Sequence, residues 1–286
     1  MPYRPVARVG GGTATIAAMT HIFVTGVHGQ LGRALERVAT DRGCRVTGHD
    51  LDTLDICDPS AVHQAVGRSQ PDVVVNCAAY TAVDTCEADE ARAMEVNGTA
   101  VGHLAAVCDE VDARLVHIST DYVFAGDGNR PYSEDDPVAP AGAYGRTKLE
   151  GERMARRAKR YLIVRTAWLY GHGGGNFVEA IRRQIDGGAE SLRVVADQFG
   201  SPTSCDDLAA ALLELISCDA SGVDHATNSG ETSWHGFAVE IARLLGSDIV
   251  VEPVTTAEFP RPAARPAYSV LDLSLIHISE PTRPVG

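Results

Sequence analysis

Two side chains four residues apart, Tyr144 and Lys148, have the types and the spacing for acid–base chemistry. Four residues is just over one helical turn, so on a helix both side chains lie on the same face. A phenol, with an ordinary pKa of about 10, exchanges protons poorly at neutral pH. An ammonium group beside it favours the phenolate and lowers that pKa. The pair therefore predicts a tyrosine that transfers a proton during catalysis.

A polar cluster that follows an apolar stretch supplies a further candidate for this chemistry. Ser119, Thr120, Asp121 and Tyr122 lie at the end of a predicted strand, Leu115–Ser119. In open α/β sheets, ligands bind beyond the carboxyl ends of the strands. Thr120 is therefore a candidate to hydrogen-bond a substrate oxygen together with the tyrosine. A helix cap or a turn is the structural alternative for the same residues.

A glycine-rich turn near the N-terminus predicts a site for a dinucleotide. Gly26, Gly29 and Gly32 lie between a predicted strand, His21–Thr25, and a predicted helix, Leu31–Ala39. Glycines at this spacing allow a tight turn and let the backbone approach a pyrophosphate. The free N–H groups at the start of the helix then face the phosphates.

The second predicted strand, Arg45–His49, ends beside Asp50. A carboxylate at this position can accept hydrogen bonds from the adenosine ribose, which favours NAD. Arg33 and Arg45 are alternatives that could pair with a 2′-phosphate, so the choice between NADH and NADPH stays open. Asp55 and Ile56 are candidates for contact with the adenine.

A third strand end also faces the predicted site. The buried stretch Val73–Asn76 is followed by two small residues, Ala78 and Ala79, that would let the nicotinamide ribose approach the backbone. Alternation of such strands with helical periodicity predicts an α/β fold, a Rossmann-type doubly wound parallel sheet with a smaller C-terminal substrate-binding lobe.

This alternation also suggests the domain boundaries. Residues 19–170 are predicted to be mainly the NAD(P)-binding domain, and residues 171–272 mainly the substrate-binding lobe, with chain crossings between the two. Residues 1–18 and 273–286 are predicted to be non-native or disordered extensions.

Composition narrows the classes of function. Of 286 residues, 44% are hydrophobic and 22% charged, as in ordinary globular proteins, and the net charge of −13 argues against nucleic acid or an anionic membrane as the main partner. The 7 cysteines contain no Cys-x-x-Cys pair, which favours reduced thiols in the cytoplasm over structural zinc. No stretch approaches the roughly 18 apolar residues of a membrane-spanning helix.

Taken in order, seven short motifs resemble the extended short-chain dehydrogenase/reductases, and within them the reductases of dTDP-linked 4-dehydro sugars. The resemblance runs from about His21 to Leu273. Its motifs are Gly26–Gly32, Ala78–Asp84, Ser119–Phe124, Pro131-Tyr132, Tyr144–Glu152, Arg165–Gly171 and Asp197–Thr203.

The resemblance implies a role for each candidate. The implied catalytic residues are Thr120, Tyr144 and Lys148. The residues implied to bind the cofactor are Gly29, Gln30, Leu31, Ala79, Tyr80 and Thr81, beside the candidates named above, and those implied to bind the substrate are Val83, Thr120, Asp121 and Trp168. A core tryptophan is the structural alternative for Trp168.

The implied reaction is reduction of dTDP-4-dehydro-β-L-rhamnose to dTDP-L-rhamnose, with hydride from NADPH or NADH delivered to C4 and a proton from the tyrosine. Some members of the family bind magnesium at a dimer interface through carboxylates. A homodimer and a bound magnesium ion are therefore open expectations, although no ligands for the ion can be located in this sequence.

Three alternatives remain at this point. A nucleotide-sugar 4,6-dehydratase shares the catalytic trio but carries a glutamate where this chain has Tyr122. An epimerase would hold a non-exchanging NAD. A non-catalytic relative, similar to the regulatory subunit of methionine adenosyltransferase, would keep the fold as a binding module.

The tail after Asp272 departs from the family pattern. Leu273–Arg283 resembles the translation of a sequencing-library adapter, and we expect the native gene to encode a longer C-terminus.

Overall fold

The computed structural model describes residues 20–275, so the predicted extension at 1–18 and most of the one at 273–286 lie outside the described residues. The nucleotide-binding part begins with β1 (His21–Thr25), α1 (Gln30–Asp41), β2 (Arg45–His49), α2 (Pro59–Ser69), β3 (Val73–Asn76), α3 (Val83–Ala88), α4 (Glu90–Met94), a π-helical turn (Glu95–Thr99), α5 (Ala100–Glu110) and β4 (Arg114–Thr120). It continues with a 3-10 turn (Asp121–Val123), α6 (Ala143–Ala155), β5 (Tyr161–Thr166) and β6 (Leu169–Tyr170). The remaining elements are α7 (Phe177–Asp186), β7 (Ser191–Val195), β8 (Phe199–Gly200), β9 (Thr203–Ser204), α8 (Cys205–Ser217), β10 (Gly222–His225), β11 (Thr232–Ser233), α9 (Trp234–Leu244), β12 (Val250–Val254) and a last 3-10 turn (Thr256–Glu258).

Six of these strands form one parallel sheet in the order β10-β5-β4-β3-β1-β2. This confirms the predicted α/β fold with a doubly wound sheet. The register places Thr25 opposite Asn76 and Thr120 opposite Thr166. The polar strand ends predicted from the sequence therefore lie along one edge of the sheet.

Helices cover both faces of the sheet, which is why its central strands are apolar on both sides. One face carries α1 and α8, whose buried residues include Leu35, Leu208 and Leu212. The other face carries α2 and α5, which bury Val66 and Leu104. No helix within residues 20–275 is long and apolar enough to cross a membrane.

A smaller core lies outside the sheet. Helices α7 and α9 pack with strands β7 and β12 around Ile181, Leu192, Val194 and Ile241. Between these elements the chain returns to the large sheet through α8 and β10. The division of the chain at residue 170 stays a prediction.

Two helical segments differ from the bounds that the sequence predicts, which are about Glu87–Glu95 for one and Tyr144 to about Arg160 for the other. The helix that begins before Tyr144 ends at Ala155 and not near Arg160, because the backbone turns there and the Lys159 N–H donates to Asp109 Oδ1 at 2.7 Å. The helix predicted at Glu87–Glu95 is broken at Asp89, whose side chain caps α4 by accepting a hydrogen bond from the Arg92 N–H.

The contact between α6 and the π-helical turn leaves no room for a side chain at Gly151. A Cβ there would overlap the Asn97 carbonyl oxygen and lie 2.9 Å from His117 Nε2, and both neighbours are buried.

We expect Gly151→Ala to lower the free energy of unfolding by about 1–3 kcal/mol, because an added methyl group overpacks this contact. Gly67→Ala in α2 is the control, because a Cβ there meets nothing within 4 Å. Chemical denaturation should show the control stabilised by about 0.5–1 kcal/mol; equal values for the two variants would contradict the packing argument.

Candidate active site

The turn between β1 and α1 fits the pyrophosphate of a dinucleotide. Gly26 has a φ of +69°, and a Cβ there would lie 2.7 Å from the Ala78 backbone nitrogen. Gly32 lies against the Gly26 carbonyl oxygen and has no space for a side chain either. Helix α1 begins at Gly29 with no side-chain cap and no acidic residue in its first turn. Its first N–H groups are therefore left for an anion.

Two cavities extend from this turn and together contain every candidate site residue except Arg33 and Arg45. The first, of about 490 Å³, contains the residues predicted to lie at the adenosine, and we call it the adenosine cavity; its lining includes Gly26, Gly29, Asp50, Asp55, Ile56, Ala78, Ala79 and Tyr80. The second, of about 610 Å³, contains the implied catalytic and substrate residues, and its lining includes Gly26, Gly29, Gln30, Leu31, Gly32, Ala79, Thr81, Val83, Thr120, Asp121, Tyr144, Lys148 and Trp168.

At the adenosine cavity, Asp50 is held in place by the backbone. Its Oδ2 accepts from the His28 N–H at 2.8 Å and its Oδ1 from the Leu51 N–H at 2.8 Å. The two arginines considered for a 2′-phosphate are engaged elsewhere. Arg33 Nε donates to the His28 carbonyl at 2.8 Å, and Arg45 lines a separate groove beyond β2.

The arginine that lines the adenosine cavity is Arg92, which the sequence did not single out. Its guanidinium forms an ion pair with Glu95 at 2.6 Å.

The catalytic candidates meet where β4 ends and α6 begins. Thr120 is the last residue of β4, and its Oγ1 donates to Asp121 Oδ1 at 2.9 Å. Tyr144 and Lys148 are one turn apart on α6. Lys148 is only 3% exposed, and its Nζ donates to the Ile118 carbonyl at 2.6 Å. The side chains quoted from the sequence are therefore brought together by the fold.

The electrostatics of this group differ from the expectation in one respect. Burial, followed by the Asp121 carboxylate, raises the pKa of Tyr144, while a hydrogen bond with the Thr120 side chain opposes this shift. The net shift is opposite to the lowering expected from Lys148, whose ammonium is turned to the Ile118 carbonyl. Burial lowers the pKa of Lys148 to about 8, while Glu152 opposes this shift. A protonated Tyr144 at neutral pH is a proton donor, as a reduction requires.

An aromatic pair forms another wall of the catalytic cavity. Trp168 stacks on Trp234 with ring centroids 3.5 Å apart and an interplanar angle of 6°. Trp168 has a φ of +48°, which is costly for a residue with a bulky side chain. Its indole is partly exposed and lines the cavity, so it is not a plain core tryptophan. Trp234 was not predicted, because it lies 66 positions further along the chain in a helix with an ordinary amphipathic pattern.

A third cavity, of about 780 Å³, adjoins the catalytic one. Tyr122 and Trp234 line both, and the third cavity also contains Arg193, Arg261 and Arg265. These basic residues were missed by the sequence reasoning. The repeated Arg-Pro pattern at residues 261–266 is the only signal that marks two of them.

Asn97 is a further residue that the sequence reasoning missed. It lies in the π-helical turn, a feature often found at functional sites. Its Oδ1 accepts from the Tyr80 N–H at 2.8 Å, and its Nδ2 donates to the Tyr80 carbonyl at 3.0 Å and to Thr147 Oγ1 at 3.1 Å. The side chain thus fixes the cofactor segment around Tyr80 against the catalytic helix.

Metal ligation finds no support in the described part of the chain. Among residues 20–275, no group of His, Cys, Asp and Glu side chains is arranged to hold a metal ion. The open expectation of magnesium is therefore without support.

Asp121 gives a prediction for the dependence of stability on pH. Burial raises its pKa to about 6, against hydrogen bonds from the Ser269 and Thr120 hydroxyls. A pKa raised on folding adds stability below the unfolded value of about 4, and this stability is lost as the pH rises through 6. We expect Asp121→Asn to stabilise the unliganded protein by about 1–3 kcal/mol at neutral pH and by much less near pH 4.

Thermal unfolding at the two pH values measures this. Asp41→Asn, at a carboxylate whose side chain is 70% exposed, is the control. An Asp121→Asn variant that is stabilised equally at both pH values would contradict the assignment.

Comparison with known proteins agrees with this site. The family model described as "RmlD substrate binding domain" matches residues 19–283. The dTDP-4-dehydrorhamnose reductase of Streptomyces griseus is 48% identical over 259 residues, which are 88% of this chain and 85% of that protein. A crystal structure of a dTDP-4-dehydrorhamnose reductase from Clostridium acetobutylicum superposes with a TM-score of 0.87 at 46% identity, covering 89% of this chain and 91% of the other. The Bacillus anthracis enzyme of that name, solved in complex with NADP, gives a TM-score of 0.88 at 38% identity and covers 90% and 92%. The chain therefore belongs to the RmlD family, the family of the dTDP-4-dehydrorhamnose reductases.

Proposed function

We propose that the protein reduces dTDP-4-dehydro-β-L-rhamnose to dTDP-L-rhamnose, the final step in the synthesis of that nucleotide sugar. The observation that carries the proposal is that the glycine turn, Thr120, Tyr144 and Lys148 line one continuous cavity. Its relatives of the same family carry that activity in their names.

Each of these residues has a separate role in the proposed reaction. NADPH or NADH, when bound, supplies the hydride that reduces the sugar at C4. Tyr144 carries its proton at neutral pH and donates it to the sugar oxygen as negative charge develops there. Thr120 Oγ1 orients the same oxygen. Lys148 holds the cofactor ribose by its ammonium group. Asp121 and Trp168 contact the sugar, with Val83 at its side.

The nucleotide half of the substrate has space in the cavity of about 780 Å³. Its three arginines suit a diphosphate, since guanidinium groups bind phosphate oxygens in pairs. Asp84 forms ion pairs with Arg265 at 2.9 Å and with Arg261 at 3.9 Å, which fixes these two side chains. Tyr122 and Trp234 mark the passage from this cavity to the catalytic one.

The proposed cofactor is NADPH or NADH. The Asp50 carboxylate favours the free ribose of NADH, whereas His28 and Arg92 near the same cavity offset it in favour of NADPH. The ratio of kcat/KM for the two cofactors decides between them.

A cytoplasmic location is also proposed, because all 7 cysteines are free thiols. The homodimer stays a prediction.

The other reactions considered are less well supported. Tyr122 is half-buried, and desolvation raises the pKa of its phenol, so it cannot replace the acidic glutamate of a dehydratase. A pure binding module would have no need for a tyrosine, a buried lysine and a buried threonine around one cavity.

The first prediction of this proposal concerns Tyr144. Tyr144→Phe removes the proton donor and leaves the ring, so kcat should fall by roughly 10² or more while the Kd for NADPH changes little. Tyr161→Phe, at the far end of β5, is the matched control and should keep wild-type turnover. The assay follows the loss of reduced nicotinamide absorbance with dTDP-4-dehydro-β-L-rhamnose. Near-normal turnover by Tyr144→Phe would remove this residue from the mechanism.

The second prediction concerns the type of reaction. With Tyr122 where a dehydratase carries a glutamate, the protein should reduce the 4-keto sugar and leave dTDP-glucose unchanged. NMR analysis of the products distinguishes these outcomes. A 4-keto-6-deoxy sugar formed from dTDP-glucose would refute the reductase assignment.

A further inference from the structure

A buried carboxylate that the proposed mechanism does not use lies one turn beyond Lys148. Glu152 is 0% exposed and belongs to the catalytic helix α6. Its Oε1 accepts from Ser119 Oγ at 2.7 Å and from Arg165 Nε at 2.8 Å. Its Oε2 accepts from Arg165 Nη2 at 2.9 Å and from Arg156 Nη2 at 3.1 Å. Each carboxylate oxygen thus has two donors.

These bonds connect three elements of the site. Ser119 is the residue before Thr120 on β4, and the β4–β5 register places Ser119 directly opposite Arg165. A single side chain on α6 therefore holds the ends of both strands. The distance from the helix that carries Tyr144 to the strand end that carries Thr120 depends on this connection.

We propose that Glu152 is a positioning residue for the reduction, and that its buried carboxylate fixes the catalytic helix to the strand end of Thr120 and balances the buried ammonium of Lys148. The inference rests on the proposed function. It concerns a residue that contacts neither the cofactor turn nor the cavities described above.

Among the ionisable groups that act on the pKa of Lys148, Glu152 is the one that carries a negative charge. Cys77, after β3, is a neutral thiol because burial raises its pKa to about 12. His117 on β4 is neutral because burial, followed by the charge of Lys148, lowers its pKa well below the ordinary value. Glu152 is the carboxylate that raises the pKa of Lys148 against the effect of burial.

Removal of the carboxylate charge acts on Lys148 in two ways. The favourable attraction is lost, and the Arg165 and Arg156 guanidiniums behind it are left without their partner. Both effects disfavour the ammonium form. The pKa of Lys148 should therefore fall below about 8, and functions that need the ammonium should be lost at a lower pH.

The test compares Glu152→Gln with Glu150→Gln, a control on the same helix whose side chain is 25% exposed and pairs with Arg153. Glu152→Gln should lower kcat at neutral pH by about 10-fold or more, change the KM for the nucleotide sugar by less than about 3-fold, and move the alkaline limb of the pH–rate profile down by about one pH unit. The control should match the wild type in all three. A folded Glu152→Gln with an unmoved limb and unchanged kcat would overturn the proposal.

A second measurement does not depend on turnover. The Kd for NADPH, measured by quenching of protein fluorescence across the same pH range, should weaken at a lower pH in Glu152→Gln than in the wild type. If the wild-type protein fails to reduce the keto sugar, the proposed function falls, while this titration still decides the role of Glu152. Superimposable titration curves for the two proteins would refute that role.

Ser119→Ala covers the case in which Glu152→Gln does not fold. It removes one hydrogen bond and leaves the charge of Glu152 in place. We expect kcat to fall several-fold with the alkaline limb unmoved, because only the position of the strand end changes. Wild-type kcat in Ser119→Ala would show that Glu152 does not position Thr120.

Discussion

The buried ammonium of Lys148 is the constraint on which the rest of the site depends. A charge at 3% exposure is costly unless polar groups replace the lost water. The Ile118 carbonyl provides one such group at 2.6 Å, and Glu152 on the next turn provides the opposite charge. The carboxylate in turn requires Arg165, because two donors from one guanidinium satisfy it in a place that water does not reach. The catalytic helix and two strand ends are thereby locked together.

Burial also acts on Tyr144, the other member of the pair on this helix. A general acid must hold its proton until negative charge develops on the substrate oxygen. Burial and the nearby Asp121 carboxylate raise the pKa of the phenol, so its proton is held more tightly than that of a free tyrosine. The sequence predicted a lowered pKa for Tyr144, because an ammonium group lies one helical turn away. Helical spacing, however, establishes only that the two side chains share a face of the helix. It does not fix where the ammonium points, and here a backbone carbonyl of β4 determines that.

Local patterns in the sequence predicted much of the fold and most of the residues that line the first two cavities. Glycine spacing next to a strand predicts the turn at Gly26, since the requirement for close backbone approach is set within a few residues. The position of Thr120 at the edge of the sheet could be predicted because the carboxyl ends of parallel strands lie along one edge. Residues that join distant segments gave no such signal. Asn97 holds Tyr80 in place from a π-helical turn, and β10 joins the sheet 56 positions after β5 ends, following the helix α8 that packs on α1. Contacts of this kind are determined by the tertiary packing and not by local periodicity.

The substrate side was the least predictable because it is built from short elements far apart in the chain. Trp168 follows β5, whereas the Trp234 that stacks on it begins α9. The stack costs an unfavourable backbone conformation at Trp168, and the indole contact offsets part of that cost. Since Trp234 and Tyr122 line both the catalytic cavity and the basic one, a sugar in the first and a diphosphate in the second would meet between the two aromatic side chains. Tyr122, which comes directly after Asp121, thus lies both beside the candidate catalytic residues and at the boundary between the two cavities.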